Sequence, residues 1–150
     1  MKRPLAANPA GQHGYTLLEL LVVVALMALA FGVLSIGLTQ GLRTAQDRQA
    51  LADMVSALRQ ARSHAVLSGV PAQLEFDLNA RRFRAPGQAA GGWPAGMNVE
   101  LTTARSLGAA VAFYPDGTSS GGHLLLARGQ RQWRIDVAWL TGRVQWRALP

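Results

Sequence analysis

Few residues of this 150-residue chain stand in patterns that support covalent chemistry. His13, His64 and His123 are scattered, and none has a second ligand at helix or strand spacing, so no metal site is expected. Glu75, Asp77, Glu100, Asp116 and Asp136 form no carboxylate pair, and Ser119-Ser120 has neither a base nor an oxyanion motif beside it. Gly91-Gly92 and Gly121-Gly122 precede no helix with the lysine and hydroxyl of a phosphate loop. Cysteine is absent, which removes disulfides and thiolate ligands. Neither catalysis nor a cofactor is expected.

Two constellations remain. In the first, Arg128, Arg131, Arg134, Arg143 and Arg147 interleave with Trp133, Trp139 and Trp146. Arginines neutralise phosphates and exposed aromatics stack on bases, so Arg134, Arg143 and Arg147 are candidate DNA contacts. The competing reading packs the tryptophans in a sheet and leaves the arginines in solvent. In the second, Glu19 stands at the head of a segment, Leu20 to Leu42, without another ionisable side chain. A carboxylate at the centre of a membrane helix costs about 2.5–3.5 kcal/mol. Glu19, four residues beyond Tyr15, would lie only about 6 Å along the helix axis from it, near the interface. A free ammonium on Tyr15 of a neighbouring chain would pair with it as water is excluded, and so set the axial register.

These residues need positioning elements. The apolar stretch Leu20 to Leu38 would rise about 28 Å as a helix, close to a hydrocarbon core of about 30 Å. The fourteen residues before Tyr15 contain Pro4, Pro9, Gly11 and Gly14, which oppose a helix, and Lys2 and Arg3, which favour the cytoplasmic side. A short polar leader is therefore read at 1–14, with cleavage after Gly14 leaving the hydrophobic helix on the product. Net charge is +7 and the pI about 11.5, a balance that suits nucleic acid, anionic lipid or an acidic protein equally.

Beyond a membrane and assembly segment at 15–42, the helix is expected to continue over 43–69. Leu51, Met54, Val55, Leu58, Ala61 and Ala65 fall on one face, with Arg48, Asp53, Arg59 and Arg62 elsewhere. Gly69 and Pro71 stop it. The period then changes to two, and 70–150 reads as an antiparallel β domain. Strands are predicted at Ala72 to Asp77, Arg81 to Ala85, Ala110 to Tyr114, His123 to Ala127, Trp133 to Leu140 and Arg143 to Arg147. Trp133, Ile135, Val137 and Trp139 should share one face, and Thr141-Gly142 should turn the last hairpin. Residues 87–96, rich in glycine and alanine, read as a mobile surface loop. The fold class is α+β.

The run Gly14-Tyr15-Thr16-Leu17-Leu18-Glu19-Leu20-Leu21 resembles the processing site of the type IV pilin, pseudopilin and competence-pilin superfamily. Three further segments resemble the GspH/FimT-type pseudopilin domain: Ala61-Arg62-Ser63-His64-Ala65, Phe113-Tyr114-Pro115-Asp116-Gly117-Thr118-Ser119-Ser120-Gly121-Gly122, and Thr141-Gly142-Arg143-Val144. The resemblance implies a pilin-like fold, cleavage after Gly14 by a prepilin peptidase, methylation of Tyr15, and recruitment into a filament through Glu19. Tyr15 stands where the superfamily usually has phenylalanine. The acidic calcium loop of the major pseudopilins is not evident, which points to a minor subunit.

The function implied is that of a minor pseudopilin of the type II secretion system, near the tip of the periplasmic pseudopilus. Its partners would be other major and minor pseudopilins, the peptidase, the inner-membrane secretion platform and membrane lipid. It would cross the inner membrane once, with the amino terminus cytoplasmic and the carboxy-terminal domain periplasmic. The alternative is a FimT-like minor pilin of a type IV pilus that binds DNA for uptake.

Overall fold

A computed structural model of the chain describes residues 16–150, with the side chains of 33–40 outside the description. The leader, Gly14 and Tyr15 therefore lie outside the described residues. A helix α1, Leu17–Ser68, is followed by eight strands: β1 Ala72–Asp77, β2 Arg82–Arg84, β3 Gly91–Gly92, β4 Asn98–Thr102, β5 Ala110–Phe113, β6 Gly122–Arg128, β7 Arg131–Val137 and β8 Val144–Leu149. A short 3-10 turn, Arg105–Leu107, precedes β5.

The chain divides into two compact units between Gly41 and Leu42. In the first, Leu17, Leu18, Leu20, Leu21, Leu26 and Phe31 are exposed. Among the described residues no helix is long and apolar enough to cross a membrane. The apolar stretch expected to do so ends in residues 33–40, whose side chains lie outside the description.

In the second unit the expected helix face is the core face. Leu51, Met54, Val55, Leu58, Ala61 and Ala65 are all buried, Met54, Leu58 and Ala65 completely, and a fully buried leucine or methionine contributes about 1.5–3 kcal/mol. The helix stops where expected. Gly69 takes a left-handed φ of 69° and its N–H donates to Ala65 O at 3.1 Å, the cap that glycine makes without steric cost.

The β domain is two four-stranded antiparallel sheets rather than one, ordered β3-β2-β1-β5 and β4-β6-β7-β8. β1 alternates buried and exposed along its whole length, turning Ala72, Leu74 and Phe76 inward. From the second sheet Leu124, Leu126, Ile135, Val137 and Val144 join the same core. One apolar helix face thus covers residues from both sheets, the layered arrangement that an α+β chain uses to bury them.

Three expectations are corrected. The segment Asn98–Thr102 is a strand, β4, paired along β6. Its buried face, Val99 and the half-buried Leu101, is too short a pattern to stand out in sequence. Within 87–96, Gly91–Gly92 pairs with β2 and Trp93 is buried, so part of this glycine-rich loop belongs to the sheet and core. Finally, β7 ends at Val137, and Trp139 lies in the following loop, 68% exposed. It does not share the inward face of Ile135 and Val137. That loop runs from residue 138 to 143, closed by Ala138 N–H to Arg143 O at 3.0 Å and Gly142 N–H to Ala138 O at 2.8 Å.

Candidate functional site

The start of α1 carries the described part of the amino-terminal motif. The Thr16 hydroxyl accepts the N–H of Glu19 at 3.2 Å, and the Thr16 carbonyl accepts the N–H of Leu20 at 3.2 Å. Thr16 is therefore the N-cap, and Glu19 is the third helical residue, in the acidic first turn. A threonine followed three residues later by glutamate is the sequence signature of such a start. In the sequence Thr16 enters only within the processing site and Glu19 as the carboxylate that would set axial register; the cap that joins them was the signal left unused. The Glu19 carboxylate lies at the positive end of the helix dipole, worth about 0.3–1 kcal/mol at an exposed site. Glu19 is exposed, so its carboxylate is open to a partner.

The three family-like segments, distant in sequence, converge on Arg62. Its Nε donates to Thr141 O at 3.1 Å and to Gly117 O at 3.4 Å, joining α1 to two loops. Gly142 sits against both partners. Its φ is 60°, and a methyl group there would stand 2.5 Å from Gly117 O and 2.8 Å from Arg62 Nε. Only glycine fits this approach.

Residues 114–121 form the bridge between the two sheets. Tyr114 N–H donates to Thr118 O at 3.0 Å and Gly117 N–H to Tyr114 O at 2.9 Å. Asp116 Oδ1 accepts from the Thr118 N–H at 2.9 Å and from its hydroxyl at 2.6 Å. The hydroxyl bond first, then the amide, holds the Asp116 carboxyl below its ordinary value of 3.8. Ser119 and Ser120 are fully occupied: the Ser119 hydroxyl donates to Ala138 O at 3.0 Å and accepts from Gly121 N–H, and the Ser120 hydroxyl accepts from Ala112 N–H. These serines tie β5 to the loop after β7. They hold structure.

The arginine band divides into separate groups. Arg128 and Arg131 converge on Asp47, whose side chain is completely buried; Arg131 reaches Asp47 Oδ2 at 3.0 Å, and Arg128 is the tighter partner. Arg131 also donates to the Thr44 hydroxyl and lies 5.7 Å over the half-buried Trp133 ring. Sequence reasoning missed Asp47. Its place, four residues before Leu51 on the buried face, was the available signal.

Arg134 and Arg147 stand opposite each other across β7 and β8. Both turn to Asp136, Arg134 at 2.7 Å and Arg147 at 3.9 Å. Arg143 lies apart from them on the loop, beside Arg59 and Arg62. The three candidate DNA contacts are therefore not one surface: two share a carboxylate and the third belongs to the helix side. Trp146 is half exposed and Trp133 packs on the core. His64 and His123 stand on different elements, and among the described residues no three histidine or acidic side chains are placed to hold a metal ion.

A family model for the type II transport protein GspH matches residues 50–141, from the helix core face through the Arg62 junction to Thr141. The chain belongs to the GspH family. A second model, the prokaryotic N-terminal methylation motif, matches residues 9–35 of this GspH-family chain. The type II secretion system protein H of Xanthomonas campestris is 37% identical over 138 residues, covering 89% of this chain and 82% of that one. Its counterpart in Escherichia coli K12 is 32% identical over 83 residues, 55% of this chain and 49% of that one.

Two solved structures share the fold. The minor pseudopilin EpsH of the Vibrio cholerae type 2 secretion system superposes with a TM-score of 0.57 at 13% identity, over 69% of this chain and 97% of that one. The type IV minor pilin FimU of Pseudomonas aeruginosa gives 0.56 at 14% identity, over 71% and 90%. The fold is thus common to secretion and pilus subunits. Family membership, not shape, places this GspH-family chain in type II secretion.

Proposed function

We propose that the chain is made as a precursor, cut after Gly14 by a prepilin peptidase, methylated on Tyr15, and assembled in or near the tip of the periplasmic pseudopilus to support export across the outer membrane. The observation that carries this reading is the methylation-motif match at 9–35 joined in one chain to the GspH match at 50–141. In this reading the helix retained after cleavage anchors the subunit in the inner membrane, with the amino terminus cytoplasmic and residues 43–150 periplasmic. Leu20 to Leu38 pass from lipid to the helical core of the pseudopilus, where exposed apolar side chains such as Leu20, Leu26 and Phe31 find neighbours.

Glu19 then pairs with the Tyr15 ammonium of an adjacent subunit, and the charge pair sets the axial register. Its partners are the other pseudopilins, with the peptidase and the inner-membrane platform acting before and during assembly. The role is mechanical, consistent with serine hydroxyls consumed by main-chain bonds in the Arg62 junction. A strain lacking the chain is expected to retain its exoproteins in the periplasm and to release them again when the chain is restored. Secretion that continues at its normal rate in that strain contradicts the reading.

A further inference from the structure

We propose that the groove between α1 and β8 is a docking site for an extended acidic segment of a neighbouring protein in the secretion assembly. The inference rests on the assembly reading above and names the surface and the chemistry it uses. Two clefts make up the groove. The larger, about 560 Å³, lies between Arg59, Arg62 and Ser63 of the helix and the loop Thr141 to Val144. The smaller, about 310 Å³, continues along the helix past Val55, with Trp146 opposite. They share Arg59 and Ser63, so they adjoin along the helix, and no carboxylate lines either.

Charge selects the occupant. Arg128 and Arg131 share the single carboxylate of Asp47, and Arg134 and Arg147 that of Asp136, so each pair keeps about one net positive charge. Among the described residues Arg59, Arg62 and Arg143 have no such carboxylate. Arg59 donates to Val144 O at 3.4 Å, and Arg62 to Thr141 O and Gly117 O. These carbonyls orient the guanidinium groups but leave their charge intact and further N–H donors unused. Three arginines with no carboxylate among them give the groove more net positive charge than either shared pair, and guanidinium groups can meet carboxylates through paired N–H donors.

The edge of the sheet selects an extended shape. β8 is the last strand of its sheet. Arg143 O accepts from Ala138 N–H, so alternate residues turn their main chain towards β7, and Val144, Trp146 and Ala148 turn theirs away. Arg59 meets Val144 O on that outer side. The Trp146 amide and carbonyl are thus presented for strand addition beside the arginines. A nucleic-acid duplex would instead need an open basic face, and the outer face of β7 and β8 has Asp136 at its centre.

The test uses the full chain in detergent micelles and three short fluorescent probes: a peptide of alternating glutamate and serine, its glutamine–serine counterpart, and a single-stranded oligonucleotide. The acidic peptide is expected to bind about tenfold or more tightly than the neutral one, the scale of one charge-assisted hydrogen bond. Arg143→Gln should remove about that factor, whereas Arg147→Gln, the same charge change on the outer face, should alter binding by less than about twofold. Ser63→Trp, which fills the groove without changing charge, should also weaken it. Equal binding of the two peptides, or equal losses in the two arginine variants, overturns the proposal. Tighter binding of the oligonucleotide with the same dependence on Arg143 overturns it in favour of nucleic acid. Secretion abolished by removing the chain but unaffected by Arg143→Gln would sink the groove and leave the assembly reading standing.

Discussion

Two carboxylates in this chain do different work because water reaches one and not the other. Asp116 is exposed and held by Thr118, so its charged form is favoured in the folded state. A depressed folded value means that its contribution to stability is present above the unfolded value, near 3.8, and fades as the pH falls through the folded one. An NMR titration of the Asp116 carboxyl should give a midpoint below 3.8, and Thr118→Val should move it back up by removing the larger of the two bonds. Asp47 is buried, and its worth lies in what its loss would strand. Asp47→Ala leaves Arg128, only 19% exposed, without its anion, and should cost about 3–5 kcal/mol in denaturant unfolding of the full chain. Arg131→Ala should cost about 1 kcal/mol, because water reaches Arg131 and Arg128 still satisfies Asp47. An equal effect of the two substitutions would show that the buried pair does not anchor the helix to the β6–β7 hairpin.

The helix was legible in sequence because its pattern is long and its stop signals are strong: the residues from Leu51 to Ala65 form the buried face, and Gly69 ends it. Strands with clean alternation were equally readable, β1 to its exact ends. Elements were missed where pattern gives way to context. β4 has a five-residue stretch with one buried side chain, and β3 is two glycines whose pairing depends on β2 already being in place. The Arg62 junction was legible as three family-like segments but not as one place, since nothing in local sequence says that Gly117 O and Thr141 O meet one guanidinium. That convergence makes Gly142 an element-scale test. Gly142→Ala should lose about 1–2 kcal/mol from the left-handed conformation alone, and more from the 2.5 Å approach to Gly117 O. Thermal unfolding unchanged by this substitution would mean that the two loops are not locked together as described.

At the scale of the molecule, the two units answer to different constraints. Residues 42–150 bury a shared core beneath one helix face and need no partner to explain their packing. The amino-terminal unit exposes Leu17, Leu18, Leu20, Leu21 and Phe31, an apolar surface that water alone does not stabilise. Lipid before assembly and neighbouring helices after it are the environments that such a surface fits, and in the reading proposed above Glu19 at its head would supply the register. The family gives the system, type II secretion; the amino-terminal motif is the means of entering it that is proposed above. The central claim is that the helix is kept and freed at its amino end before assembly. Intact-mass measurement of the chain recovered from assembled pseudopili tests it most directly. The predicted result is a chain that begins at Tyr15 and carries one methyl group, and a chain in the same assemblies that still includes residues 1–14 would contradict the account.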